Sequence, residues 1–312
     1  MGNPKPICRS CGYADLKPIF SLGQTPLADA LLTEKQLGLP ELSVPLDWVF
    51  CPSCSLVQIT EAVSPEILFR RNYPYFSSVS NTLLKHFRES AEELIKSKRL
   101  NSKSLVVEAA SNDGYMLRNF AKKNIPVLGI DPAERPAQVA QKSGIPTLCT
   151  FFGKNLARQL KDNEGKEADV FLANNVLAHV PNLNSFVEGV KIILKDGGIA
   201  VLEVHYLSDL VDNDEFDTIY HQHMSYFSLT SLDNLFRKHS LFVTKVNRIP
   251  TYGGSLRIFV EHHENIDKSV QLLLEEESKK GVNQLDYYIS FANRVLGIKQ
   301  SLVDKLWALK RQ

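Results

Sequence analysis

The chain has 312 residues, 36 Lys and Arg against 35 Asp and Glu, and a formal net charge of +1 at pH 7. This length favours two or three domains, and the near-neutral charge gives no electrostatic reason to expect nucleic acid or an anionic membrane as a partner. The sequence shows no run of roughly 18 apolar residues and no apolar signal core at its start, so we expect a cytoplasmic protein.

Two Cys-x-x-Cys pairs stand out near the N-terminus, in a predicted domain of residues 1–62. In a reducing compartment such pairs predict a tetrahedral zinc site before disulfides, because each pair presents two thiolates on one tight turn. Four sulfur ligands leave no open position for a substrate, so the expected Zn²⁺ is structural. Unmetallated or redox-active thiols are the alternative. The predicted ligands are Cys8, Cys11, Cys51 and Cys54.

Residues 63–103 are predicted to form a helical linker. Ser64-Pro65-Glu66 is typical of a helix start, and apolar residues between 83 and 95 follow helical spacing. Between them lies a non-helical aromatic turn, Tyr73-Pro74-Tyr75-Phe76-Ser77-Ser78, which either lines a site or packs as a plain linker.

Strands and helices alternate over residues 104–263, which predicts a parallel sheet covered on both faces, with ligands at the carboxyl ends of its strands. The turn at 250–254 permits an antiparallel last strand. The strand count and order predict an α/β, Rossmann-like class I methyltransferase core rather than a six-stranded dehydrogenase. Residues 264–312 are predicted to be helical. The predicted strands are 105–109, 126–130, 146–149, 168–173, 198–204, 241–248 and 255–261.

The first two strands of this sheet suggest a nucleoside-cofactor site. A carboxylate at the tip of the second strand, Asp131, is well placed to hold ribose hydroxyls. Glu108 and Asp113 would repel the pyrophosphate of a dinucleotide but suit the ammonium and sulfonium of S-adenosylmethionine, which is therefore the predicted cofactor. The predicted cofactor contacts are Glu108, Ser111, Asn112, Asp113, Gly114, Asp131, Pro132, Asn174 and Asn175.

Two further polar groups follow the fourth and fifth strands of the predicted core. Asn174 and Asn175 are poor core material and are predicted to face ligand, with His179 one helical turn farther on or serving only as a structural histidine. The loop Tyr220-His221-Gln222-His223 offers two histidines, either of which could be a base near neutral pH. A metal site at these histidines, or a loop that merely covers the cofactor, are the weaker alternatives.

Several motifs in this order resemble the sugar C-methyltransferase family, which transfers methyl groups from S-adenosylmethionine to nucleotide-linked keto-deoxysugars. Besides the paired cysteines they are FSLGQTPLAD at 20–29, YPYFSS at 73–78, SNDGYML at 111–117, ANNVLAHVP at 173–181 and the YHQH loop at 220–223. The resemblance implies that the general base is His223 and that its polar partners are Tyr220, Gln222, His179 and Tyr73 or Tyr75.

The chain departs from that family in two places. The family usually has Glu where this chain has Gln222, a neutral amide that cannot relay a proton. The chain also ends at Gln312, so we expect residues 264–312 to be only the start of the family's third domain, which the chain would otherwise lack. The alternatives are an NAD-dependent nucleotide-sugar epimerase or dehydrogenase, and a non-catalytic zinc-ribbon protein with a degenerate methyltransferase core.

Overall fold

The computed structural model describes residues 6–70 and 73–312; the first five residues, whose sequence was considered for a signal, lie outside the described residues. An N-terminal antiparallel sheet is built from strands β1 (Lys17–Pro26), β2 (Ser43–Phe50) and β3 (Val57–Ile59). Its fourth strand, β9 (Ser225–Tyr226), comes from the distant loop that carries the predicted base and pairs with β3. The N-terminal unit and that loop are therefore parts of one sheet.

The core of this sheet is aromatic and is shared with the C-terminal helix α9 (Leu285–Lys310). Trp48 is 1% exposed, and its ring centroid lies 5.0 Å from that of Tyr226 and 5.5 Å from that of Phe291 on α9. The pair with Tyr226 is edge-to-face and the pair with Phe291 is tilted, and aromatic contacts of this kind add to the apolar burial of each ring. The two ends of the chain thus stabilise each other around one indole.

The linker between the two sheets contains a short π-helical turn (Glu66–Arg70) and helix α1 (Asn81–Ser97). The hydroxyl of Ser80 accepts a hydrogen bond from the amide of Leu83, which caps α1. Phe87, Ala91 and Leu94 form the buried face of α1, as their helical spacing predicts.

A central seven-stranded sheet follows, in the order β10-β11-β8-β7-β4-β5-β6. Strands β4 to β8 are parallel, whereas β11 is antiparallel to both β8 and β10. All seven predicted strands are present, and β8 begins earlier than predicted, at Leu194. The strands are β4 (Val106–Ala109), β5 (Val127–Ile130), β6 (Thr147–Leu148), β7 (Ala168–Asn174), β8 (Leu194–His205), β10 (Phe242–Ile249) and β11 (Ser255–Glu261).

Helices cover both faces of this sheet, as expected for parallel strands joined by crossovers. They are α2 (Leu117–Ala121), α3 (Glu134–Lys142), α4 (Lys154–Arg158), α5 (Leu183–Ile193), α6 (Leu207–Asp212) and α7 (Leu229–Lys238). The strand order reverses at β4, which lies between β5 and β7, so a crevice opens at the carboxyl ends of these three strands.

The C-terminal region is helical, as predicted, with α8 (Lys268–Lys280) before α9. Glu277 of α8 is fully buried and accepts hydrogen bonds from the amides of Leu229 at 2.6 Å and Thr230 at 2.7 Å. A carboxylate at this position satisfies the unpaired amides that begin α7. Within residues 6–70 and 73–312, no helix combines the length and the apolar character needed to cross a lipid bilayer.

Candidate active site

The four predicted zinc ligands come together. Their sulfur atoms all lie within 4.8 Å of one another, with Cys8 Sγ 3.4 Å from Cys54 Sγ and Cys11 Sγ 3.5 Å from Cys51 Sγ. Four sulfurs at the usual Zn–S distance of about 2.3 Å lie about 3.8 Å apart, so the cluster has the size of a tetrahedral zinc site. The amides of Gly12 and Ser55 donate to the carbonyls of Cys8 and Cys51, which closes the two tight turns.

A cavity of about 600 Å³ opens in the crevice above β4, β5, β7 and β8. The central sheet forms its floor, and the aromatic turn and the loop after β1 contribute to its walls. Its lining contains most of the predicted site residues in two groups. The cofactor end has Asn112, Asp131, Pro132, Asn174 and Asn175, and the acceptor end has Tyr73, Tyr75, His179, Tyr220, Gln222 and His223.

Asp131 organises the cofactor end. Its Oδ2 accepts a hydrogen bond from the amide of Asn112 at 2.7 Å, and its Oδ1 accepts one from the amide of Ala133 at 2.7 Å. Burial raises the pKa of Asp131 to about 6, so the carboxylate is still mostly ionised at neutral pH. Each oxygen keeps a lone pair for a ligand hydroxyl.

Two asparagines at this end have left-handed backbones. Asn112, with φ +48°, accepts from the amide of Ser77 through Oδ1 and donates through Nδ2 to the carbonyl of Tyr75. It therefore fastens the aromatic turn to the cofactor end. Asn175, with φ +54°, lines the cavity, and its buried Oδ1 has no hydrogen-bond partner in the described part of the chain. A buried acceptor in this state suits a ligand that donates hydrogen bonds.

The prediction for the cofactor end needs a correction, because four of the predicted contacts, Glu108, Ser111, Asp113 and Gly114, do not line the cavity. Glu108 is fully buried beneath it and accepts from Asn174 Nδ2 at 3.1 Å; burial raises its pKa to about 8, so it is largely uncharged at pH 7. Asp113 Oδ1 lies 3.8 Å from Arg118 Nη2. Asp131 therefore supplies the carboxylate charge at this end.

Ser111 and Gly114, the other two predicted contacts outside the cavity, belong to the turn after β4. The hydroxyl of Ser111 is packed so tightly under β5 that a Cβ added at Gly129 would lie 2.5 Å from it. Gly114 has φ +78°, which is unfavourable for residues with a side chain. Both shape the turn after β4 rather than touching the cavity.

At the acceptor end, the backbone sets the tautomer of His223. Its Nδ1 lies 2.8 Å from the carbonyl oxygen of Thr218, which can only accept, so Nδ1 carries the hydrogen and Nε2 keeps its lone pair. The hydroxyl of Tyr220 lies 3.1 Å from Nε2 and donates to it. Burial, and then the neighbouring His179 and His205, hold the pKa of His223 well below its usual range, so the ring is a neutral acceptor.

Two more imidazoles surround His223. His179 Nδ1 donates to the carbonyl of Gln222 at 2.8 Å, and its ring centroid lies 5.0 Å from that of His223. His205, at the end of β8, has its ring 5.2 Å from that of His223, and burial lowers its pKa to about 4. All three rings line the cavity. The acceptor end thus has hydrogen-bonding groups without positive charge.

Sequence reasoning missed His205 and Tyr252. Tyr252 has φ +54°, and its hydroxyl lies 3.2 Å from that of Tyr75. His205 follows the predicted strand 198–204 directly, so the rule that ligands bind at strand ends could have found it. Tyr252 lies in the 250–254 turn, and no local pattern marks it. Two residues on, Gly254 is required by space, because a Cβ there would overlap the carboxylate of Asp209.

The other two residues of the 220–223 loop, His221 and Gln222, have different surroundings. Gln222 lines the cavity, and its Nε2 donates to Asp29 Oδ2 at 3.1 Å. His221 is 1% exposed, does not line the cavity, and has its Nε2 3.1 Å from the carbonyl oxygen of Val44. Of the two histidines in the loop, only His223 reaches the cavity, and His221 fastens the loop to β2.

Three family models match the chain: a zinc binding domain over residues 8–69, a methyltransferase domain over residues 83–246 and a C-methyltransferase C-terminal domain over residues 250–312. The methyltransferase match overturns the dehydrogenase and non-catalytic alternatives. The third match shows that the expectation of a chain lacking the C-terminal domain is wrong, since sequence of that domain is present from the end of β10 onward.

A solved structure, the PH0226 protein from Pyrococcus horikoshii OT3, aligns with 12% identity and a TM-score of 0.46, over 60% of this chain and 94% of that one. A ubiquinone biosynthesis O-methyltransferase from Shewanella halifaxensis is 29% identical over 94 residues, 30% of this chain and 40% of that protein. The C-methyltransferase NovU from Streptomyces niveus is 34% identical over 289 residues, 91% of this chain and 68% of NovU. The chain belongs to the family of S-adenosylmethionine-dependent C-methyltransferases with an N-terminal zinc binding domain.

Proposed function

We propose that this C-methyltransferase methylates the carbon next to the ketone of a nucleotide-linked keto-deoxysugar, through an enolate. The observation that carries the proposal is the neutral imidazole of His223, which lines the same cavity as Asp131 and whose Nε2 keeps its lone pair, held by the Tyr220 hydroxyl. The sequence motifs that resemble sugar C-methyltransferases support the substrate class. The cavity's mixture of hydroxyls, imidazoles and amides suits a sugar, which both donates and accepts hydrogen bonds.

The cofactor end fits S-adenosylmethionine. Asp131 would accept hydrogen bonds from the ribose hydroxyls, and the partnerless Oδ1 of Asn175 would accept one from the methionyl ammonium. When bound, the cofactor supplies a methyl group on a cationic sulfur. The protein's own part is to hold the methyl acceptor in line with that methyl group and to exclude water.

His223 would act as the base that removes the proton from the carbon next to the ketone. A carbon next to a ketone is not nucleophilic until a base removes its proton. Nε2 is the ring nitrogen of His223 that has a lone pair for that proton, because Nδ1 carries the hydrogen that goes to Thr218. The Thr218 carbonyl, which accepts from Nδ1, also stabilises the imidazolium that then forms. The negative charge of a bound substrate diphosphate would favour the imidazolium and so make His223 a stronger base.

The enolate needs hydrogen-bond donors on its oxygen. In this proposal the Tyr220 hydroxyl turns from His223 Nε2 to that oxygen, which also frees the Nε2 lone pair, with Gln222 beside it. His179 has its Nδ1 hydrogen on the Gln222 carbonyl, so its neutral ring presents only a lone pair to the cavity. Burial raises the pKa of Tyr220 to about 12, with the charge of Asp29 as the second cause, so the hydroxyl keeps its proton and remains a donor. Tyr73 and Tyr75 close the same end from the aromatic turn.

Asp131→Asn tests the cofactor end. The substitution removes the carboxylate that would bind the ribose, so we expect the affinity for S-adenosylhomocysteine, measured by calorimetry, to fall about 10- to 100-fold, as for loss of a charged hydrogen bond. Asp113→Asn is the matched control, because Asp113 is a buried carboxylate of the same turn, directly after Asn112, and does not line the cavity. Equal losses in both variants would contradict this placement.

The substrate class is tested by incubating the protein with S-adenosylmethionine and a panel of nucleotide-linked keto-sugars. We expect mass spectrometry to show one added methyl group, and NMR to place it on a carbon next to the carbonyl. The matching nucleotide sugars without a ketone should not react, because their carbon acids are too weak. Methylation of an oxygen, or no transfer to any keto-sugar by protein that binds S-adenosylhomocysteine, would refute the proposal.

A further inference from the structure

The N-terminal unit contributes a carboxylate to the acceptor end of the cavity. Asp29 lies in the loop after β1 (Lys17–Pro26), where its backbone has φ +61°. Its Oδ2 accepts a hydrogen bond from Nε2 of Gln222 at 3.1 Å, and the carbonyl of Ala28 lies 3.4 Å from the same nitrogen. Both Asp29 and Gln222 line the cavity. The loop is therefore part of the site wall, although 193 positions separate the two residues.

The charge of Asp29 acts on the groups beside the proposed base. Its negative charge adds to burial in raising the pKa of both Tyr73 and Tyr220, and Tyr220 donates to His223 Nε2. The partner of Asp29 in the contact, Gln222, is only 4% exposed and carries no charge. The hydrogen bond thus joins the carboxylate of an exposed residue, Asp29, to a buried amide near the proposed base.

In the contact between Gln222 and Asp29, the amide donates and the carboxylate accepts. A Glu at position 222 would place a second carboxylate against that of Asp29. Two carboxylates at hydrogen-bond distance repel, and one would have to be protonated. With an amide at 222, the contact is attractive and holds a single negative charge.

We propose that Asp29, in the zinc-binding unit, is a substrate-binding and specificity-determining residue that supplies a negative charge to the acceptor end of the cavity. In this role, which rests on the proposed function, the carboxylate accepts hydrogen bonds from sugar hydroxyls. Gln222 positions it, because its Nε2 donates to Asp29 Oδ2 and to the Ala28 carbonyl. The site needs one carboxylate, and either position 29 or position 222 can carry it.

A double-mutant cycle that moves the carboxylate from position 29 to position 222 tests the Asp29–Gln222 pair. We expect Asp29→Asn to lower kcat/KM for a keto-sugar about 10- to 100-fold, mainly through KM, because it removes a charged acceptor. Gln222→Glu, which creates two facing carboxylates, should lower it by a similar factor. The double variant D29N/Q222E should recover to within several-fold of the wild type. Asp15→Asn is the matched control, since Asp15 is an exposed residue of the same unit, paired with Lys17.

A second measurement does not depend on turnover. At pH 8, Gln222→Glu should lower the midpoint of thermal unfolding by a few degrees through carboxylate repulsion, and the added D29N should restore it. The affinity for S-adenosylhomocysteine should be unchanged in all variants. Additive effects of the two substitutions on the midpoint, or wild-type kcat/KM in Asp29→Asn, would overturn this inference. If wild-type protein methylates no keto-sugar while the midpoints still couple, the proposed function fails and the pairing of the two residues stands.

Discussion

Replacing His223 with Asn is expected to lower the rate of methyl transfer about 10³-fold while leaving the affinity for S-adenosylhomocysteine within about twofold of the wild type. Asn fills similar space and can still donate to the Thr218 carbonyl, but it has no lone pair basic enough to take a proton from carbon. Single-turnover methyl transfer to a keto-sugar measures the first effect, and calorimetry measures the second.

His221→Asn is the matched control for this prediction, because His221 is a buried histidine of the same loop that binds the Val44 carbonyl outside the cavity. It should lower the unfolding midpoint without a comparable loss of rate. The pH profile adds a further check. A base works only when unprotonated, and the pKa of His223 is held well below its usual range, so wild-type kcat/KM should be unchanged at the ordinary histidine pKa of about 6.5 and fall only at much lower pH. A His223→Asn enzyme with near wild-type turnover would show that the base is elsewhere.

Removing the metal is expected to have an even wider effect, abolishing methyl transfer and unfolding the β1–β3 unit. This unit is too small to be stable on core burial alone, and structural zinc contributes on the order of 10 kcal/mol to such domains. Loss of β3 also removes the strand that pairs with β9, just after His223. Chelation followed by metal analysis, circular dichroism and the methyl-transfer assay measures all three effects.

Cys51→Ser should reproduce the effect of chelation, because Cys51 is one of the four clustered sulfurs. Cys149→Ser is its matched control, since Cys149 is exposed and lies outside the cluster, and it should keep both zinc and activity. Added Zn²⁺ should restore the chelated wild type but not Cys51→Ser. Metal-free protein with an unchanged unfolding midpoint and full activity would rule out a structural role for the metal.

The central sheet was predictable because its order follows from local patterns. Short apolar runs that alternate with helices leave few topologies, and each predicted strand is present within a few residues. The zinc ligands were equally accessible, since each Cys-x-x-Cys pair is a local turn and the pairs meet around one tetrahedral volume. Expecting the C-terminal domain to be missing was wrong because helical sequence alone does not show which domain a helix belongs to.

The details of the site were less predictable, because they depend on contacts between distant parts of the chain. Glu108 was expected at the rim, but β4 continues to Ala109, and the Glu108 side chain is buried under Asn174 instead of facing the cavity. Nothing local to Asp29 indicates that it meets Gln222, and nothing local to Tyr252 indicates that it meets Tyr75. Side-chain direction at a strand end changes with a shift of one residue, which sequence periodicity does not resolve.

The pairing of Val57 with Tyr226 is made by main-chain atoms, and this has an evolutionary consequence. Main-chain hydrogen bonds are indifferent to most amino-acid replacements, so the anchor beside the base survives drift in the surrounding sequence. Wall residues such as those at positions 29, 75 and 252 are then free to diversify toward new acceptors. An engineer seeking altered scope should randomise those three positions and leave the edge between the two strands untouched.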